Sequence, residues 1–210
     1  MSAPSANLLT KHNINILTPN SPEVLALEKQ QYSPAIHGDQ VWSSTYVVMD
    51  YLLTNPPPPQ SQLMDIGCGW GLLSVFAAKE LELNVIAVDA DPNVLPYASL
   101  HADINHTHIQ TQQLEFDDIE AHHLEGIHTL IGVDICFWDK LQPSLYHLIK
   151  RALEAGVEQI IIADPGRGPF HDLSDRCEAH LNGRVEIHHC QEPIQDSAEL
   201  LIIEKDLLPY

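Results

Sequence analysis

Two carboxylates and three glycines stand at a spacing suited to holding a nucleotide. In "LMDIGCGWGLLS" (Leu63 to Ser74), Gly67, Gly69 and Gly71 alternate directly after an apolar run, and Asp65 lies two residues before the first of them. A second carboxylate, Asp89, ends the next apolar run in "VIAVDADP". Glycines in a strand-to-helix turn let the backbone approach a ligand closely. A dinucleotide fingerprint needs G-x-G-x-x-G, whose third glycine permits tight helix-to-strand packing, and Leu72 occupies that place here. No Gly-Lys-Ser/Thr follows either, so the loop is not a P-loop. A negative charge at Asp65 disfavours a pyrophosphate and favours a ligand with a positive group. An acidic residue at the tip of the second strand accepts both ribose hydroxyls. The pair fits a ligand with a ribose and a cationic amino-acid end.

Thirteen histidines invite a metal hypothesis, with His106 and His108, His122 and His123, and His188 and His189 as the clustered candidates. Adjacent residues on a strand point to opposite faces, so His188 and His189 do not share one ion. No third ligand is set by spacing near His106 and His108, and no metal is expected. Cys68, Cys136, Cys177 and Cys190 form no CxxC pair, which predicts reduced thiols and a cytoplasmic setting. Acidic residues outnumber basic ones 29 to 10, for a formal net charge of -19. Such a surface repels phosphate backbones, which argues against nucleic acid and favours a basic protein or a cationic side chain as partner. No signal peptide opens the chain and no apolar run reaches membrane-spanning length, so a soluble protein is expected.

These groups need a scaffold, and 210 residues suffice for one well-buried α/β domain. The reading is an N-terminal extension over residues 1–37 with one helix in "PEVLALEKQQ", followed by a domain over 38–210. A further helix fits "DQVWSSTYVVMDYLL", and the prolines of "TNPPPPQS" end it. Strand-length apolar runs then fall at Gln62–Ile66, Asn84–Asp89, His108–Gln113, His128–Cys136 and Val157–Ala163. Helix-length segments at Leu72–Leu81, Pro92–Asn105 and Pro143–Glu154 separate most of them. That alternation predicts a parallel sheet covered on both faces. Arg184–Cys190 and Glu199–Lys205 are too close in sequence for a helical crossover, so they should pair antiparallel.

From roughly Gly38 onward the chain resembles the class I S-adenosylmethionine (SAM)-dependent methyltransferases, whose glycine motif reads D/E-x-G-x-G-x-G. The resemblance implies a Rossmann-like, doubly wound seven-stranded sheet of order 3-2-1-4-5-7-6 with an antiparallel last strand, and SAM as cofactor. By the same resemblance, Asp65 and the Gly67–Gly71 backbone, with Cys68 and Gly69, face the methionine end. Asp89 and Ala90 take the ribose, Phe116 packs on the adenine, and Asp117, with Asp118 as its alternative, accepts from the exocyclic amine. Three stretches narrow the family. "HGDQVWSSTYVVMDYL" is similar to the Trp-bearing helix ahead of the glycine motif in the protein lysine methyltransferases sometimes called family 16, a group also labelled nicotinamide methylase-like, and brings Trp42 to the cofactor site. "VDICFWDKL" matches that group's D-x-x-Y/F signature with Asp134 and Phe137. "IIADPGRG" is similar to a segment of the bacterial electron transfer flavoprotein β-subunit lysine methyltransferases. Trp70 departs from the usual Thr or Ser and is expected to narrow the methionine end of the pocket.

The resemblance implies methyl transfer to a lysine at Asp134 and Phe137. The end of the fourth strand faces the reacting centre of an open sheet. The acceptor must be neutral, and with a reference pKa of about 10.4 that costs roughly 4 to 5 kcal/mol at pH 7. An aromatic enclosure of Phe137, Trp138 and Trp42 lowers that pKa by desolvation, whereas a carboxylate favours the charged form. Asp134 is therefore expected to bind and orient the ammonium, with proton loss to water. Arg167 is read as a ligand for a substrate carboxylate or a backbone carbonyl, or as an anchor of its own loop. A lysine-bearing protein is the expected substrate. A small-molecule N-methyltransferase and a SAM-binding protein without catalysis are the alternatives.

Overall fold

The computed structural model describes residues 8–30, 32, 42–191 and 195–205. An antiparallel hairpin, β1 (Leu8–Lys11) and β2 (Ile14–Leu17), precedes α1 (Pro22–Lys29) and α2 (Ser44–Thr54). The main sheet follows as β3 (Gln62–Ile66), β4 (Asn84–Asp89), β5 (Gln110–Gln113), β6 (Ile127–Val133), β7 (Gln159–Asp164), β8 (Arg184–Cys190) and β9 (Asp196–Glu204). Between them run α3 (Leu72–Glu80), α4 (Leu95–Ile104), α5 (Ala121–Leu124), α6 (Gln142–Ala155) and α7 (Gly168–His180).

The sheet order is β5-β4-β3-β6-β7-β9-β8. Counted from Gln62, this is 3-2-1-4-5-7-6, the order the resemblance implies. The pairs β3–β4, β3–β6, β4–β5 and β6–β7 are parallel, and β9 runs antiparallel to both β7 and β8. The apolar runs are continuous because both faces are covered. One core unites Val47, Leu52, Phe76 and Ala98 from α2, α3 and α4 with Leu63, Val85 and Ile161 of the sheet. The other unites Leu148, Ile149 and Phe170 from α6 and α7 with Met64, Leu130 and Ile160.

Several elements differ from the sequence-based expectation. The helix expected from Asp39 begins at Ser44, with residues 39–41 and Gly38 outside the described residues. The strand expected to reach Cys136 stops at Val133, because Asp134 leaves the extended conformation with φ +55. A further helix covers Gly168–His180, whose half-polar pattern does not announce it.

The hairpin is also new. Its turn residues His12 and Asn13 both have positive φ, 45° and 60°, which fits the twist of a two-residue hairpin turn without supplying the usual glycine. Tertiary contacts hold it. Asn105, just after α4, accepts from the Asn15 N–H at 2.7 Å and donates to its carbonyl at 2.8 Å, replacing a missing strand partner. Lys79 donates to the Asn13 carbonyl at 2.7 Å. His101, fully buried, accepts the Leu17 N–H at Nε2 (3.2 Å) while its Nδ1 lies 2.8 Å from the Tyr97 carbonyl. These partners require the neutral Nδ1–H tautomer.

Burial pushes the His101 pKa down to about 4, so the folded state binds this proton less readily than the unfolded chain. The associated stability is complete above the unfolded value of about 6.5 and is lost as pH falls toward 4, to a total of about 3 kcal/mol. Denaturant unfolding of wild type and His101→Gln at pH 7 and pH 4 checks this. The difference between the two proteins should shrink by about that amount on acidification.

Candidate active site

The loops after β3, β4, β5 and β6 converge at the carboxyl ends of the strands and enclose a pocket of about 320 Å³. That is the size of a small-ligand site, at the position an open α/β sheet provides for one.

The glycine loop forms one wall. The N–H groups of Gly67 and Cys68 both donate to the Val88 carbonyl, at 2.8 and 3.0 Å, tying the loop to β4. Gly67, Gly69 and Gly71 all have positive φ, 71°, 52° and 72°, which explains three alternating glycines. Gly67, Cys68 and Gly69 line the pocket. A side chain on Gly69 would meet nothing within 4 Å, so this backbone stands open to a ligand. Gly71 is not among the lining residues. It caps α3, and a Cβ there would come within 2.7 Å of the Ala98 Cβ, so it serves the close approach of α3 and α4.

Asp65 and Asp89 face the pocket from adjacent strands. Asp65 is buried, and its Oδ2 accepts the Ser74 hydroxyl at 2.6 Å. Burial pushes its pKa up to about 6, with Ser74 opposing and the nearby Asp89 adding to the rise. Asp89 accepts the Gly69 N–H at Oδ2 (3.0 Å) and the Asp91 N–H at Oδ1 (2.9 Å). Burial raises its pKa too, against those amides. Ala90 lines the pocket beside it.

Phe116 and Asp117 line the pocket from a short 3-10 turn, and Asp118 does not. Asp117 accepts the Ser144 hydroxyl at 2.9 Å. Arg151 of α6 donates to the Phe116 and Ile119 carbonyls at 2.7 and 3.0 Å and so fixes the turn. Neither Ser144 nor Arg151 has a motif to announce it. Both are brought in by the packing of α6.

Trp70 also borders the pocket, but its ring stacks on Tyr97 (5.5 Å, 5° between planes) and His101 (5.5 Å, 29°). It is buried with Leu17 and Val24, under the hairpin and α1. The bulk expected to crowd the methionine end is therefore committed to joining the glycine motif, α4 and the N-terminal hairpin.

At the end of β6, Asp134 is 3% exposed, and its N–H donates to the Ala163 carbonyl at 2.9 Å. Its φ of +55° is uncommon for a non-glycine residue and turns the chain out of the strand into the pocket wall. Oδ1 accepts Arg167 Nη1 at 2.9 Å. The same nitrogen donates to Asp164 Oδ2 at 2.8 Å. Asp164, fully buried, is held at Oδ1 by the N–H groups of Gly166 (3.0 Å) and Arg167 (2.7 Å). Of the three alternatives for Arg167, the anchor of its own loop holds through Asp164, and the bond to Asp134 is a partner none of the three names. Among the described residues Oδ2 of Asp134 has no hydrogen-bond partner. The Ser44 side chain favours the ionised form. The net effect on Asp134 is a raised pKa, from burial first, with Ser44 and Arg167 opposing it.

Aromatic rings surround this carboxylate. Trp42 and Phe137 meet edge to face at 5.2 Å, Phe137 and Trp138 lie 5.8 Å apart, and the Arg167 guanidinium is 4.4 Å from the Phe137 ring centre and 5.7 Å from that of Trp42. Trp42, Asp134, Phe137 and Trp138 all line the pocket, so one cavity joins the carboxylate end to the aromatic end. Lys140 stands at the rim, with Nζ 5.3 Å from the Trp138 ring centre. The histidine pairs serve other purposes: His188 hydrogen-bonds Asp50 at 2.8 Å, and His123 completes a capping box with Glu120. Among the described residues no group of three or more His, Cys, Asp or Glu side chains is arranged to hold a metal.

Residues 63–156 match the family described as a methyltransferase domain. Over 140 residues the chain is 24% identical to an electron transfer flavoprotein beta subunit lysine methyltransferase of Danio rerio, covering 66% of this chain and 54% of that protein. Over 89 residues it is 33% identical to a ribosomal protein L11 methyltransferase of Janthinobacterium sp. (strain Marseille), covering 42% and 27%. The chain thus spans about half or less of the curated relatives it matches. The fold is shared with magnesium protoporphyrin IX methyltransferase from Synechocystis PCC 6803, solved with bound SAM, at a TM-score of 0.58 and 12% identity, covering 89% of this chain and 93% of that one.

Proposed function

Because the chain carries a methyltransferase domain on the class I fold, we propose that it uses SAM to methylate lysine side chains of a protein substrate. The observation that carries this reading is Asp134 Oδ2, a buried carboxylate oxygen without a hydrogen-bond partner among the described residues, enclosed by Trp42, Phe137 and Trp138 at one end of the pocket. A neutral ring acceptor has no use for it, and an amine that arrives charged does.

The residues at the other end fit SAM. Asp65 is a buried carboxylate to which, among the described residues, Ser74 donates and no cation pairs, which suits an amino group. Gly69 offers open backbone, and Asp89 retains acceptor capacity for ribose hydroxyls beyond its two amide bonds. Phe116 and Asp117, which line the pocket, would hold the adenine by packing on its ring and accepting from its amine. When bound, SAM supplies an electrophilic methyl group on a cationic sulfonium. Asp134 gathers the lysine ammonium and orients it. The aromatic walls exclude water and lower the amine pKa, so that its proton leaves to solvent. Alignment of nitrogen with the methyl carbon then provides most of the acceleration. The likeness to a lysine methyltransferase and the net charge of -19, which draws basic surfaces, support a protein acceptor. A reducing, cytoplasmic setting is supported by four cysteines that form no disulfide; among the described residues no helix is long and apolar enough to cross a membrane.

A second reading is a small-molecule amine acceptor, favoured by the absence of a separate substrate-binding element among the described residues. Two measurements decide. Calorimetric titration should show binding of SAM and none of a dinucleotide. After incubation with methyl-labelled SAM and a cell lysate, label should enter the protein fraction; label confined to the small-molecule fraction contradicts the proposal.

A further inference from the structure

Asp134 and Asp164 are both almost wholly inaccessible to water, and among the described residues a single cation, Arg167, lies between them. Two carboxylates and one guanidinium leave one net negative charge in a buried site. One partner of a buried ion pair left uncompensated is strongly unfavourable, so this arrangement awaits a further positive charge. Asp164 is taken by two backbone amides and Arg167 and Asp134 Oδ1 by Arg167, and among the described residues Asp134 Oδ2 has no hydrogen-bond partner. The guanidinium is itself fixed over the Phe137 ring, so the charge network and the aromatic enclosure share one element. Asp134 is further held in a left-handed backbone conformation, which surrounding contacts must maintain.

We infer that Arg167 is a positioning residue: it occupies one oxygen of Asp134 and balances one of two buried carboxylates, so that the remaining oxygen selects an acceptor bringing a single positive charge. This rests on the reading of the pocket as a methyl-transfer site. It also gives the "DPGR" segment its purpose. Asp164 turns the loop and receives Arg167, and Gly166 takes φ +97°, a conformation that residues with a side chain rarely adopt. The bond from Arg167 then crosses to the end of the neighbouring strand β6.

Arg167→Gln and Arg167→Lys, in the full chain, test this with three readouts. In the ligand-free protein, carbon-13 carboxyl NMR, with Asp134 assigned through Asp134→Asn, should show its titration midpoint about one unit or more higher in the Gln variant, because the cationic partner is gone. SAM affinity by calorimetry should stay within about two-fold, as Arg167 does not line the cofactor end. Tritium transfer from SAM to proteins of a cell lysate should need about five-fold more lysate for half-maximal labelling. The Lys variant, which keeps the charge and loses the fork, should fall between, shifting this value by about two-fold; it carries the test if the Gln variant does not fold. A Gln variant with an unmoved Asp134 midpoint or wild-type dependence on lysate overturns the inference alone, as does a Lys variant identical to wild type. Wild-type protein that binds SAM and labels nothing overturns the methyl-transfer reading and this inference with it.

Discussion

Asp65→Asn is expected to weaken SAM binding by roughly thirty- to hundred-fold at pH 7.5 and, in the same variant, to stabilise the ligand-free protein by up to about 3 kcal/mol. Both effects come from one buried carboxylate. Its pKa is raised to about 6 by burial, so the folded protein without ligand holds the ionised form at a cost. The cost applies fully above pH 6 and disappears as pH falls below the unfolded value near 3.8, because the folded state then binds the proton more readily than the unfolded one. Replacing the charge with a neutral amide removes it, and Ser74 still has an oxygen to donate to. The ligand's amino group loses a charge-assisted partner in the same step. Wild-type affinity should be flat above pH 7 and fall about ten-fold per unit below pH 6, whereas the variant's should change little. Calorimetry across pH and denaturant unfolding without ligand measure the two halves. A variant that binds SAM as wild type does would remove Asp65 from the site.

Asp134→Asn should reduce methyl transfer by about a hundred-fold or more while leaving SAM affinity within about three-fold. The side chains have the same shape, so Arg167 keeps an acceptor at this position. What is lost is the surplus negative charge that gathers the acceptor, while Arg167 stays balanced by Asp164. Because the enclosure by Trp42, Phe137 and Trp138 is unaltered, SAM binding at the carboxylate end is a built-in control. Parallel losses of transfer and SAM affinity would mean that Asp134 shapes the pocket instead of serving the acceptor.

Much of this site is legible before any coordinates. The strands around the glycine motif are short apolar runs bounded by turn residues, and Asp65 and Asp89 fall at strand ends by simple counting. What periodicity does not carry is direction. "HTLIGVDICF" is apolar enough to suggest a strand through Cys136, and only the positive φ of Asp134 shows where it breaks. Trp70 follows the same logic: its position in the motif is plain, yet its ring turns toward Tyr97 and His101 on α4. The hairpin is invisible for a different reason. Its turn lacks glycine, and it is held by Asn105 and His101, some 90 and 84 residues away in sequence. Arg167 has three plausible uses in sequence and one set of partners in space, because β6 and β7 are neighbours only once the sheet is assembled.

Amino-acid analysis of the labelled product addresses the central proposal most directly. Purified wild-type protein is incubated with methyl-tritiated SAM and a cell lysate, the protein fraction is hydrolysed, and the labelled residue is identified beside a parallel Asp134→Asn reaction. The proposal predicts label eluting with N-methylated lysine and lost in the variant. Label in a small molecule, in a residue other than lysine, or equally with wild type and variant would contradict it.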